Sequence, residues 1–312
     1  MDKTGRKKAV ALLSVVSNTM LVVSKLIVGL MTRSISVMSE AIHSGIDLVA
    51  ALIALYAVGT SGKPADRDHP FGHGKIENAS GVVEALLIFL AAGWIISEAI
   101  HKILRPVPLE KIGWGFLVML ISVVMNIVVS RLLFRVGRET DSMALQADAW
   151  HLRTDVWTSL GVMGALGLIS LGQWGFPSLD LRWVDPVAAI GVAALIIRAA
   201  YDLTIQAGRD LLDASLPDEE AAWIRNYLAS LKPDGYDFHR LRTRKAGATR
   251  FIEFHLLVNP ALSVEDSHSI ADQIDARIQG RFAGSRVTIH IEPRAAADVP
   301  ESSEETLTFE EE

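Results

Sequence analysis

The chain contains no cysteine. That excludes disulfides and thiolate metal sites, so any bound metal must be held by imidazole and carboxylate, while the redox compartment stays open. Also missing are a P-loop, a glycine-rich dinucleotide fingerprint, a hydrolase-type serine and histidine motif and an H-E-x-x-H helix. Nucleotide hydrolysis and zinc-peptidase chemistry therefore have no signature here. A basic surplus is lacking as well: the formal net charge is -6, and no nucleic-acid partner is expected.

Half of the 312 residues are hydrophobic, yet 21% are charged. Two unlike regions must be averaging out. Residues from about 9 to about 206 hold apolar segments near the roughly 20-residue length that crosses a bilayer. Six spans are expected, near 9–31, 35–59, 78–104, 112–136, 142–171 and 184–206. The charged start Gly5-Arg-Lys-Lys8 resembles that of a signal peptide, but no small-residue cleavage site follows and the apolar run is too long, so the first span is read as retained. Lysine and arginine placement favours a cytoplasmic N-terminus. Lys3, Arg6, Lys7, Lys8, Lys63, Arg67, Lys75, Arg131, Arg135, Arg138 and Arg209 then fall inside, against Arg33, Lys102, Arg105, Lys111 and Arg182 outside. An even number of spans leaves the C-terminal region inside too.

Beyond Gly208 the pattern is that of a soluble domain. Leu216-Pro-Asp-Glu-Glu220 marks a helix start with acids in its first turn, running to about Leu231. Residues 238–244 and 250–258 read as strands joined by the turn-like Lys245-Ala-Gly-Ala-Thr249. A helix from about Val264 to Phe282 carries Ile270, Ile274 and Ile278 on one stripe, and residues 286–292 form a last strand. The expected organisation is a membrane domain over 1–207, an α+β domain over 208–296 in the order αββαβ, and an acidic disordered tail over 297–312.

Two copies of one pattern lie inside the apolar region, His43-Ser-Gly-Ile-Asp47 and His151-Leu-Arg-Thr-Asp155. Positions i and i+4 of a helix share a face, so each copy aims an imidazole and a carboxylate the same way. Two such helices side by side offer two nitrogens and two oxygens to one tetrahedral divalent cation, with zinc the natural guest. Ionisable groups at membrane depth are costly and mark ion pathways by default. Lys25, Glu84, Asn18 and Asn126 also fall within spans, and interhelical pairing is their simplest role.

With six spans, the paired motifs and the small trailing module, the chain resembles a cation diffusion facilitator. The likeness is carried by Ser39-Glu-Ala-Ile-His-Ser-Gly-Ile-Asp47, Asp66-Arg-Asp-His-Pro-Phe-Gly-His-Gly-Lys75, Asp148-Ala-Trp-His-Leu-Arg-Thr-Asp155 and Leu211-Leu-Asp-Ala-Ser-Leu-Pro-Asp218. It implies a multi-pass inner-membrane homodimer with both termini cytoplasmic and a metallochaperone-like C-terminal domain, exporting a divalent metal in exchange for protons by alternating access. It implies no enzyme activity. His43, Asp47, His151 and Asp155 would be the transport site, and Asp66, His69 and His73, in a loop that also offers Asp68, a second, cytoplasm-facing site. His239, His255, His268, His290 and Glu292 would gather at the dimer contact, and Lys75 and Asp213 would form a charged pair tying the two domains. Two departures stand out. Some relatives carry Asp where this chain has His43, and the N2O2 set here leans toward zinc and away from manganese or magnesium, with cadmium, ferrous iron, cobalt and manganese kept as alternatives. The family pattern ends in His-x-Asp where this chain has His290-Ile-Glu292. A metalloenzyme and a non-transporting metal sensor are the competing classes; four protein ligands leave the former no open position for substrate. Trp150 is read either as narrowing the outer approach to the site or as an interfacial aromatic.

Overall fold

A computed structural model describes residues 3–32, 35–104, 114–175 and 183–294. The expected tail at 297–312 lies outside them. Contacts divide the chain into one unit of Met1–Asp213 with Ala246–Ala248 and another of Ala214–Lys245 with Thr249–Glu312.

The first unit is a helical bundle: α1 (Lys3–Thr32), α2 (Ile35–Ser61), α3 (Lys75–Leu104), α4 (Trp114–Glu139), α5 (Met143–Gly175) and α6 (Val184–Leu211). Each expected span falls on one of these helices. Five, all but α5, are long and apolar enough among the described residues to cross a membrane. Large apolar side chains such as Leu30, Met31, Leu90 and Leu104 are exposed on the outside of the bundle, where a bilayer rather than water would cover them. Small residues let the helices approach, as in other membrane bundles. Ala50, Ala51, Ala54 and Ala57 line the buried side of α2, and α3 packs most extensively on α6 through Ala85, Ala92, Ala200 and Ala207. Gly81 shows how tight this is: a Cβ there would lie 3.0 Å from Met143 Cγ and 3.2 Å from Ala207 Cβ.

The second unit runs α7 (Asp218–Ala229), a 3-10 turn (Lys232–Asp234), β1 (Asp237–Ala246), β2 (Thr249–Val258), α8 (Val264–Arg281) and β3 (Arg286–Pro293). This is the αββαβ order expected. The sheet order is β1-β2-β3, with β2 and β3 parallel. Pro217 takes the N-cap position of α7, and Asp218, Glu219 and Glu220 place negative charge at its positive end. Ser263 caps α8 by accepting the Asp266 N–H at 3.0 Å. Ile252, Phe254, Leu256 and Val258 alternate along β2 into a core shared with Ile224, Leu228, Ile274 and Ile278. The alternation puts His255 on the opposite face.

Strand β1 departs from simple alternation. Phe238 and Leu241, three apart, both pack on the core. Arg240 between them has φ +52°, in the left-handed region, and the resulting kink shifts the strand by one residue. His239 thereby stays beside His255 while Leu241 returns to the core.

Candidate metal centre

Helices α2 and α5 meet in the first unit, and each presents its His-x-x-x-Asp face to the other. His43 Nε2 lies 4.0 Å from Asp47 Oδ1 and 3.6 Å from Asp155 Oδ1, while His151 Nε2 lies 3.3 Å from Asp47 Oδ1. One ligand atom from each of His43, Asp47 and Asp155 falls within 4.8 Å of the others, and His151 joins through Asp47. Asp47 and His151 are buried, with residue exposures of 4% each; His43 and Asp155 are half-buried. Ligand atoms about 2.0 Å from a tetrahedral zinc are roughly 3.3 Å apart. The 3.3 Å spacing of His151 and Asp47 matches that, the 3.6 and 4.0 Å spacings of His43 exceed it, and His151 stands outside the trio whose ligand atoms are mutually close.

His43, Asp47 and Asp155 line a cavity of about 510 Å³. Its other walls come from the C-terminal halves of α1 and α3 and the N-terminal halves of α2, α4 and α6, including Lys25, Glu40, Glu98, Lys102, Asn126 and Asp185. The cavity thus belongs to the end of the bundle that carries the α1–α2, α3–α4 and α5–α6 connections. Lys25 donates to Ser44 Oγ at 2.8 Å and pairs with Glu40 at 3.2 Å, and Lys102 pairs with Asp185 at 3.3 Å. Toward the other end, Ala57, Val58, Val129, Leu133, Leu145 and Leu152 form a packed apolar cluster. Glu77 closes that end further: its carboxylate accepts from Lys7 Nζ at 2.9 Å, Ser61 Oγ at 2.6 Å and Ser142 Oγ, joining α1, α2 and the start of α5 to α3.

The loop residues converge too. His69 Nδ1 and His73 Nε2 each lie 3.2 Å from an oxygen of Asp66, with the two rings 4.4 Å apart. Asp66 Oδ1 also accepts the backbone N–H groups of His69 at 2.7 Å and Asp68 at 3.1 Å. The His69 backbone bond, with the imidazoles, holds the Asp66 carboxyl below its usual range despite slight desolvation. Asp68 lends its backbone to this turn, and its side chain is outside the three-residue cluster. Gly72, at φ +88°, supplies the reversal that brings His73 back to Asp66.

In the second unit, Glu292 is the hub. His255 Nδ1 lies 2.8 Å from Oε1, His239 Nε2 3.1 Å from Oε2 and His290 Nε2 3.4 Å from Oε1. The parallel register sets His255 beside His290, with their rings 4.6 Å apart. Partial desolvation pushes the Glu292 carboxyl up, but the His255 bond and the charges of the three imidazoles outweigh it and leave the group below its usual value. His268 stands apart: exposed on α8, it pairs with Asp272 of the same helix at 3.6 Å.

Other expectations come out as follows. Lys75 and Asp213 pair at 2.9 Å, and Lys75 also donates to the Leu211 carbonyl at 3.2 Å; both partners fall within the first unit. Trp150 does not line the cavity but packs edge-on against Phe134 and Trp157. Lys25 has the expected interhelical partner in Glu40, whereas both oxygens of Glu84 lack any hydrogen bond among the described residues, as do Asn18 Nδ2 and Asn126 Oδ1. Sequence reasoning did not single out Glu40, Glu98, Lys102 or Asp185 as cavity walls, because scattered charges at helix ends carry no motif.

Residues 11–212 match the cation efflux transmembrane domain, and residues 216–294 match the cation efflux protein cytoplasmic domain. The chain belongs to the cation diffusion facilitator family. An uncharacterized transporter of Synechocystis is 37% identical over 84% of this chain and 82% of that protein. The cation-efflux pump FieF of Yersinia enterocolitica is 33% identical over 92% and 93%, and FieF of Escherichia coli O127:H6 is 34% identical over 84% of each chain. This cation diffusion facilitator is therefore a membrane protein of a family of cation transporters rather than of enzymes.

Proposed function

We propose that this chain exports Zn2+ from the cytoplasm in exchange for protons, with His43, Asp47, His151 and Asp155 as the transport ligands. The reading rests on one observation: His43, Asp47 and Asp155 cluster between α2 and α5 on the wall of a cavity at one end of the bundle, and His151 reaches Asp47 at 3.3 Å. Metal binds neutral imidazole and ionised carboxylate, while protonation of the same lone pairs expels it. One set of atoms thus serves cargo and counter-ion. The mixed nitrogen and oxygen donors favour zinc over manganese, with cadmium, ferrous iron and cobalt as further candidates.

In this reading all six long helices cross the inner membrane and both termini are cytoplasmic. Residues 1–207 form the membrane domain, residues 208–296 the cytoplasmic one and 297–312 an acidic tail. The cavity then faces outward, and the apolar cluster with the Glu77 contacts closes the cytoplasmic side. The chain works as a homodimer. Asp66, His69 and His73 capture metal on the cytoplasmic side. His239, His255, His290 and Glu292 suit a regulatory Zn2+, which would neutralise Glu292 and draw the strands together; His268 takes part only if two such units meet.

Flux measured in proteoliposomes under an imposed proton gradient tests the proposal. Zinc uptake accelerated by the opposing gradient, and reduced at least tenfold in Asp155→Ala, is the expected result. A sensor that binds metal at the loop and C-terminal clusters without moving it would show binding but no flux, and Asp155→Ala with full flux would sink the assignment of the site.

A further inference from the structure

Two carboxylates remain that the transport site does not use. Glu84 on α3 and Asp148 on α5 are each 0% exposed, and none of their four oxygens has a hydrogen-bond partner among the described residues. Ala85 and Ala147, the chain neighbours of these two residues, belong to one packed cluster, which brings α3 and α5 together here and sets Glu84 in the field of Asp148. Around Glu84 the packing is apolar, with Ala85, Ile88, Ala147, Ile196, Ala200 and Leu203 contributed by α3, α5 and α6. Asp148 sits in the fields of His151 and Asp155 on its own helix and Asp47 on α2. From α1 the fully buried Ser14 hydroxyl acts on it as a donor, though no hydrogen bond of full geometry forms there among the described residues. The pair is not part of the cavity wall, and Asp148 precedes His151 by about one turn, toward the closed end of the bundle.

An ionised carboxylate removed from water costs several kcal/mol unless it is paired and hydrogen-bonded. Two such groups in each other's field and short of donors are not both anionic; one proton on the pair removes the repulsion. The Ser14 hydroxyl adds one donor and acceptor at the edge of this arrangement. Entry of a divalent cation at the neighbouring ligands changes the balance, because its charge stabilises the anion through a low-dielectric path.

We propose that Glu84 and Asp148 form a second intramembrane proton site, separate from the four transport ligands, that holds a proton in the metal-free state and gives it up when a divalent cation enters. This rests on the transport reading above and deepens it. On release the acid O–H bond breaks, its electron pair stays on the carboxylate, the proton passes to water, and the new anion offsets part of the incoming double charge. Protons counted per metal would then exceed what the four ligands alone supply.

Infrared difference spectroscopy on the full-length protein in lipid, near pH 7, tests this with zinc alone as the added ligand. The expected result is a carbonyl band of a protonated carboxylic acid in the metal-free wild type, lost on zinc addition and absent from Glu84→Gln. In weakly buffered solution Glu84→Gln should also release fewer protons per bound zinc, and Asp148→Asn should lose the same band should Glu84→Gln fold poorly. No acid band in the metal-free wild type, a band that survives zinc binding unaltered, or an undiminished proton count in Glu84→Gln would each overturn the proposal. Failure of the transport reading has a different signature: zinc binding and flux intact in Asp155→Ala, whatever the acid band does.

Discussion

Glu292 gathers three imidazoles around one carboxylate, and its chemistry follows from that crowding. Because its folded pKa lies below the usual value of 4.5, its contribution to stability is fully present above that value and is lost as pH falls through the lower, folded one. In the presence of a chelator, the thermal transition of the C-terminal unit should fall on the acid side of pH 4.5, and Glu292→Gln should flatten that part of the profile. The members of this cluster were legible because histidine and acid are the only strong metal donors in a chain without cysteine. What residue types do not carry is partner choice. His268 has the same donor chemistry as His255, yet one pairs on its own helix and the other with Glu292. Glu84 looked like one more interhelical partner, and its side chain has no hydrogen bond among the described residues.

Elements were the most readable level, since helix and strand periods are local. The i, i+4 spacing on α2 and α5 put each His and Asp on one face, and acids after Pro217 announced α7. The start of α8 at Val264 reflects its Ser263 cap. Ser263→Ala removes the acceptor for the Asp266 N–H and should destabilise the second unit by about 1 kcal/mol, read from its denaturant midpoint. The left-handed Arg240 had no such signal. Arginine does not advertise φ +52°, and only the joint demand for Leu241 in the core and His239 beside His255 accounts for it. Arg240, the fourth residue of β1, is therefore placed by its neighbours rather than by its own preference.

At the scale of the whole molecule, the cavity belongs to one end of the bundle and the apolar cluster to the other, the asymmetry an alternating-access cycle needs in any single state. A chain with no cysteine is a ready background for testing it. Ala189→Cys, on the cavity wall, should react with a membrane-impermeant thiol reagent added from the side opposite the N-terminus, whereas Val129→Cys, in the packed cluster, should stay protected. Equal labelling of the two would contradict the asymmetry. From sequence alone came the helical membrane region, the αββαβ module and most of the histidines and acids that the fold clusters, because apolar length, helical period and donor chemistry are properties of neighbouring residues. The tertiary structure alone decided that α2 and α5 face each other, which end of the bundle holds the cavity, and that Glu84 and Asp148 are both buried in the same part of it. Those depend on contacts between segments tens to a hundred residues apart, whose distances no local pattern encodes.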